Sequence, residues 1–473
     1  MHRIAAVVFV TLVGLAPAAA QPIVDVNGVA ERLAQAIRFP TVSHQDPAAF
    51  EGAPFDGLIA HLALAYPRVH ERLKVERVNG YSLLISWPGR DAKLDPALFM
   101  SHLDVVPVEE EALEGWTHPP FGGVIHDGFV WGRGSLDVKN GVIAWLEAAE
   151  LLLAEGFVPE RGLIFAFGHD EEIGGEAGAA ELARTLRERG TRVSFLVDEG
   201  GMISGDLGLV PGKLVAQINT AEKTYFTIHL SATSEGGHSS TPPPHTAVGK
   251  LASAIHRLEA NPLPLRISTP VRDLFAALAP HVPLGRRLAL RNLWLTGGVL
   301  KRRMARDPFQ AAMLRTTTAA TMIHGGVKEN VVPKRATATV NFRILPGETP
   351  DDVLAHVRKV IDDPEIEISS DTWSSAPRPG RVDAPGYAVL SEAIRSVHPD
   401  AVVVPGMLLG ATDTRHFADI AADSYRFIGA RISRDQITGI HGTDERIAID
   451  ALAEAVEIHR DILRRAGGLT GPN

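Results

Sequence analysis

Three apolar runs in the first half of the chain end in acid or imidazole. "ALFMSHLD" ends at His102 and Asp104, "GLIFAFGHDEE" at Asp170, Glu171 and Glu172, and "VSFLVDEGG" at Asp198 and Glu199. Helix-period stretches separate them. One runs from Lys139 to Glu155, with Val142, Ile143, Leu146, Ala149, Leu152 and Leu153 on one face before Gly156, and another lies near Ala177 to Arg189. Strands that alternate with helices, each strand a nearly unbroken apolar run, predict an α/β domain with a mainly parallel sheet flanked by helices. Ligands bind such sheets beyond the carboxyl ends of the strands. The three acid-bearing ends therefore belong on one edge.

The texture changes near Glu222, where "KTYFTIHLSAT" alternates with a period of two. A helix carrying Ala247, Leu251, Ile255 and Leu258 follows, then a Leu-, Arg- and Pro-rich stretch, Asn261 to Arg315, without strand signals. After it come the strands "TAATMIHGG" and "RATATVNFRIL", a helix Pro350 to Ile361 and the strand "EIEIS". At 473 residues the chain exceeds one ordinary core. The expected organisation is a catalytic domain in two parts, 21–221 and 372–473, with an α+β lid module, 222–371, inserted between them. The stretch Asn261 to Arg315 is expected to be a helical insertion that either packs or shapes an apolar pocket.

The opening "MHRIAAVVFVTLVGLAPAAAQP" has a basic residue at Arg3, a short apolar stretch and small residues at Ala18 and Ala20. It is expected to be a signal peptide, 1–20, marking a secreted or periplasmic protein. Its apolar part is shorter than the ~20 residues of a membrane span, so no stable membrane insertion is expected after cleavage. There is no cysteine, which excludes disulfides, thiolate metal ligands and a cysteine nucleophile. The formal charge of −9 and the lack of a basic tract argue against nucleic acid. Nothing in the linear sequence marks a basic amphipathic membrane-surface helix.

His102 and Asp104 are two residues apart and share a strand face, the spacing of a metal ligand and the carboxylate that orients its ring. Asp137 lies in the Gly-rich turn "GRGSLDVKNG", and "IHGTDE" adds His441 and Asp444. So many carboxylates on one edge repel each other unless cations lie between them. Histidines with carboxylates suit zinc, and less selectively cobalt or manganese. A two-metal hydrolase needs a bridging acid, terminal ligands and a separate general base; the inventory is present.

In order, "SHLDVVP", "GRGSLDVKNG", "HDEEIGG", "LVDEGG" and "IHGTDERI" resemble the di-zinc metallopeptidase family of aminoacylase-1, glutamate carboxypeptidase and Gly-Xaa carboxypeptidase (carboxypeptidase S). The resemblance is closest to the carboxypeptidase S and N-fatty-acyl-amino-acid synthase/hydrolase branch, which shares "GRGSLD", "HDEE" and "VKENVVP". It implies two zinc ions per chain. His102, Asp137 and Asp198 would hold one, and Asp137, Glu172 and His441 the other, with Asp137 as the bridge. Relatives use either acid of "DEGG", so Glu199 stands as the alternative to Asp198. Asp104 would orient His102, and Glu171 would be the general base; Asp170 has no assigned role. The family pattern also implies a cis peptide after Asp137, where Val138 follows.

In the lid, His238 of "EGGHSSTPP" resembles a histidine that stabilises an oxyanion. Asn330 and Arg343 fall where relatives hold the substrate's carbonyl and carboxylate, and Thr412, Asp413 and Arg415 of "GATDTRHF" add contacts or form only a turn. The implied substrate is a small peptide with a free carboxylate, or alternatively an N-acyl amino acid. A homodimer through the lid is one implied assembly; the long insertion blocking that contact is the other. A non-catalytic binding protein is disfavoured, since the base and every ligand position are present.

Overall fold

The computed structural model describes residues 23–206, 210–371 and 377–470. The expected leader, 1–20, lies outside the described residues. The largest sheet has nine strands. Its order is Lys74–Val78, Ser82–Trp87, Leu163–Gly168, Ala97–His102, Phe195–Asp198, Ser424–Arg426, Val215–Glu222 and Val402–Leu408, with Ile203–Ser204 beside Val215–Glu222. The central four, from Leu163–Gly168 to Ser424–Arg426, are parallel. The Lys74–Trp87 hairpin and the junction of Ser424–Arg426 with Val215–Glu222 are antiparallel. The sheet is thus mixed with a parallel centre.

Side chains alternate across the central strands and feed two separate cores. Phe99 and Phe165 pack on one face against Trp145 of helix Lys139–Ala154 and Ile462 of helix Ile449–Gly468. Leu98, Met100, Ile164 and Ala166 pack on the other against Leu182 and Leu186 of helix Ala179–Glu188. Both faces being covered, the strand Leu163–Gly168 is buried throughout. Its acids can therefore emerge only past its end.

A second, antiparallel sheet has the order Thr317–Gly325, Arg335–Ile344, Thr224–Thr233, Ile366–Ser370. Ile228, Leu230, Val340 and Phe342 on one of its faces meet Leu251 of helix Ala247–Ala260 and Val357 of helix Pro350–Ile361. The helices between these strands, Thr269–Leu278, Leu284–Arg291, Leu293–Met304 and Pro308–Ala312, do not join that core. Val271, Leu274, Phe275, Leu278 and Met304 instead pack with Val215, Val402, Val404 and Met407. The insertion thereby covers the edge strand Val402–Leu408, whose unpaired backbone would otherwise template aggregation.

Candidate metal centre

Two chain segments far apart in sequence are fastened together to make the centre. Glu445, fully buried, accepts the N–H groups of Gly134, Leu136 and Asp137 at 3.0, 2.8 and 3.1 Å on one carboxylate oxygen. Its other oxygen accepts Arg133. A small sheet of Val124–His126, Phe129–Trp131 and Arg446–Ala448 joins the same two segments. Asp137 is held between two imidazoles as a result. Its Oδ1 lies 3.2 Å from Nε2 of His102 and its Oδ2 3.0 Å from Nε2 of His441. Glu172 Oε2 lies 3.2 Å from the same nitrogen of His441, and Glu199 Oε1 3.6 Å from that of His102. The Asp137–Val138 peptide is cis.

These separations have a physical meaning. Donors about 2.0 to 2.1 Å from one tetrahedral ion stand about 3.4 Å apart along a tetrahedron's edge. The four spacings, 3.0 to 3.6 Å, bracket that value. The protein's own cations also fall short here. Burial first, then the Glu199 charge, pushes Glu171 well above the usual carboxylate range. Burial raises Glu199 to about 8, and hydrogen bonding to Asp137 and then Glu172 raises His441 to about 10. One oxygen of Glu172 is buried without a hydrogen-bond partner. Groups that recruit protons and leave a lone pair bare are groups that fit divalent cations.

The "DEE" turn is positioned from beneath. Asp104 accepts the Ser43 hydroxyl at 2.6 Å and the backbone N–H groups of Glu171 and Glu172, both at 3.1 Å. His102 Nδ1 faces the Asp104 carbonyl at 3.0 Å and its carboxylate at 3.3 Å. Asp104 therefore orients the ring and also pins the acid pair, the second job being invisible in the linear sequence. Asp170, which has no assigned role from sequence, accepts the Ala177 N–H at 2.7 Å and closes the turn. Gly175 has φ of +69°, and a Cβ there would stand 2.0 Å from an Asp413 oxygen, so this position demands glycine.

The two acids of "LVDEGG" have different partners. Asp198, the last residue of its strand, accepts both the N–H and the hydroxyl of Thr414, at 3.1 and 2.9 Å, and its other oxygen accepts the Glu199 N–H. It is Glu199 that faces His102. The strand ends at Asp198 and the chain bends at Glu199, which sends the two side chains to different partners. Asp444 likewise points elsewhere, accepting the N–H and hydroxyl of Thr117, each at 2.7 Å. Glu445, Glu199 and Thr414 are the residues sequence reasoning underrated. A second acid shortly after a candidate histidine was the available signal for Glu445.

The lid residues form two groups. Gly237–His238 pairs with Val331–Val332, and the Ser239 N–H donates to the Asn330 carbonyl at 3.2 Å, bringing His238 and Asn330 together. His238 is exposed and makes no hydrogen bond or ion pair with the His102–Asp137–His441 cluster. Its Nδ1 accepts the Ser240 N–H at 3.1 Å, which leaves the proton of the neutral ring on Nε2. Arg343 lies over the Tyr225 ring at 4.6 Å and is lowered by burial, with Tyr225, Arg415, Glu171 and Glu222 as its charged surroundings. Arg415 donates to the carbonyls of Gly174 and Thr412. Thr412 itself is held by buried Glu222, which also pairs with Arg426.

The chain is similar to known proteins over most of its length. The sequence profile described as Peptidase family M20/M25/M40 matches residues 98–465. The N-fatty-acyl-amino acid synthase/hydrolase PM20D1 of Mus musculus is 38% identical over 448 residues, covering 93% of this chain and 88% of the mouse protein. A probable carboxypeptidase S-like 2 of Dictyostelium discoideum is 37% identical over 443 residues, covering 92% of this chain and 84% of its own. The crystal structure of an M20 family metallo-carboxypeptidase, Sso-CP2 from Sulfolobus solfataricus, superposes with a TM-score of 0.67 at 19% identity, covering 93% of this chain and 99% of that one.

Proposed function

The chain belongs to peptidase family M20/M25/M40, and on that premise we propose that it is an exported di-zinc amidohydrolase that cleaves the amide bond next to a free carboxylate. The observation that carries this reading is the placement of Asp137, with one carboxylate oxygen toward His102 and the other toward His441. His102, Asp137 and Glu199 would hold one ion, and Asp137, Glu172 and His441 the other. When bound, such a pair lowers the pKa of a water and polarises a carbonyl.

Glu171 is the general base in this reading. Among the described residues its carboxylate has no hydrogen-bond partner, and its donor atom lies within 4.8 Å of those of His102 and Glu199. It takes a proton from the attacking water and passes it to the leaving amine, and its raised affinity for protons in a buried site suits both steps. His238 offers an Nε2 proton to the developing oxyanion. Arg343, half-buried and without a carboxylate ion pair among the described residues, presents a planar fork for the substrate's carboxylate.

Similarity to the mouse enzyme favours a second reading within the same chemistry, hydrolysis of N-acyl amino acids with long acyl groups. The test is a screen of the zinc-loaded protein on dipeptides, on N-acyl amino acids, and on the C-terminally amidated form of each. Cleavage confined to the free carboxylates is expected, and the preferred series names the substrate class. Equal cleavage of the amidated forms would remove the carboxylate from the proposal.

A further inference from the structure

We propose that the outer face of the helices Leu284–Arg291 and Leu293–Met304 is a docking surface for an anionic lipid bilayer. The inner stripe of the second helix, Leu293, Gly297, Leu300 and Met304, packs on the body of the protein. The outer stripe is unpartnered: Trp294 is 85% exposed, Leu295 68% and Val299 70%. Leu284, Leu288 and Phe309 are exposed beside it. The two helices are joined by the Thr296 hydroxyl, which donates to the Ala289 carbonyl at 2.6 Å. Large apolar groups exposed together on a soluble protein mark an interaction surface.

Charge identifies the occupant. From Leu284 to Ala312 the chain carries Arg286, Arg287, Arg291, Lys301, Arg302, Arg303 and Arg306 against one acid, Asp307, in a protein whose formal charge is −9. Asp307 caps the next helix through the Gln310 N–H at 2.8 Å. None of the seven cations pairs with a carboxylate among the described residues, whereas Arg184, Arg187 and Arg189 elsewhere on the surface all do. Arg287 is tied to the Ala279 and Pro280 carbonyls and Lys301 to that of Leu265, but Trp, Leu and Val flanked by exposed arginines without a carboxylate partner are the chemistry of a helix lying in a lipid headgroup layer. A second copy of the chain fits less well, because a two-fold contact would set the exposed Arg286, Arg291, Arg302, Arg303 and Arg306 of one copy against those of the other. The linear sequence hides this surface, since inward and outward apolar residues interleave along the helix.

Cosedimentation of the full mature chain with vesicles tests it, using about three parts phosphatidylcholine to one part phosphatidylglycerol, and pure phosphatidylcholine as the control. Binding is expected to the anionic vesicles alone and to fall steeply with salt. Trp294→Ser/Val299→Ser and Arg302→Glu/Arg303→Glu should each weaken binding about tenfold or more, while hydrolysis of a small soluble substrate is unchanged. A wild-type chain that stays in the supernatant with anionic vesicles overturns the proposal. So does binding that neither pair of substitutions alters, or a dimer in light scattering that Trp294→Ser/Val299→Ser dissociates.

Discussion

The two halves of the candidate site are built in opposite ways. On the strand-end half, Asp104, Asp137, Glu172 and Glu199 are held by buried hydrogen bonds and by the rings of His102 and His441, and the backbone beneath them is fastened by Glu445 and Asp104. On the lid half, His238 and Asn330 stand exposed on a short two-stranded ribbon. Arg343 rests on a tyrosine ring with no acid to bind. The first half is organised before any substrate arrives. The second keeps its donors unengaged, so that substrate supplies their partners. Ligands of a cation must be preorganised because they repel one another, whereas a donor to an oxyanion is needed only as that charge develops.

The largest expected effect lies where the halves meet. Glu171→Gln should retain both ions and lower kcat by about a hundred- to ten-thousandfold, read by steady-state kinetics beside metal analysis; a fully active variant would sink the assignment. His238→Ala should lower kcat by about a hundred- to a thousandfold, with metal content unchanged and a melting curve within about 0.5 kcal/mol of wild type, as expected for an exposed side chain. Loss of stability in that variant would erase the contrast between the halves.

The contrast sharpens within the "DEGG" pair. Glu199→Gln should take metal content from two ions per chain toward one. Asp198→Asn, which disturbs the contacts to Thr414 and to the Glu199 N–H, should weaken affinity by about tenfold to a hundredfold. The reverse order in a metal titration would return the ligand to Asp198.

The smallest effect concerns the scaffold. His459 is fully buried against Trp145, at 3.7 Å between ring centroids, with neither ring nitrogen hydrogen-bonded. Burial depresses its pKa to about 3 from an ordinary 6.5. As pH falls below about 6.5 the unfolded chain takes up a proton that the folded core refuses. The stability tied to the neutral ring is therefore complete above that pH and is lost progressively as pH falls toward 3. His459→Phe should flatten this part of the stability profile, the difference from wild type being less than about 5 kcal/mol. Parallel profiles for the two proteins would refute it.

Much of this was legible in the linear sequence, because apolar runs that end in acids carry both the strand and the edge where its ligands gather. The helices Lys139–Ala154 and Pro350–Ile361 and the strand Leu163–Gly168 were legible in the same way, from periodicity and composition. The choice between Asp198 and Glu199 was not. It turns on where a strand stops, and a shift of one residue reverses which side chain faces the cluster.

The sequence by itself determined the class of sheet, the edge on which the chemistry sits and the residue types available there, since all three are local properties of strands and their ends. Tertiary structure alone decided how Glu445 ties the Asp137 turn to the His441 loop, and that Asp104 supports two acids as well as a ring. It also decided that the insertion covers the main sheet's edge while turning Trp294 outward. Each of these depends on contacts between segments tens to hundreds of residues apart, and such contacts exist only once the cores have packed.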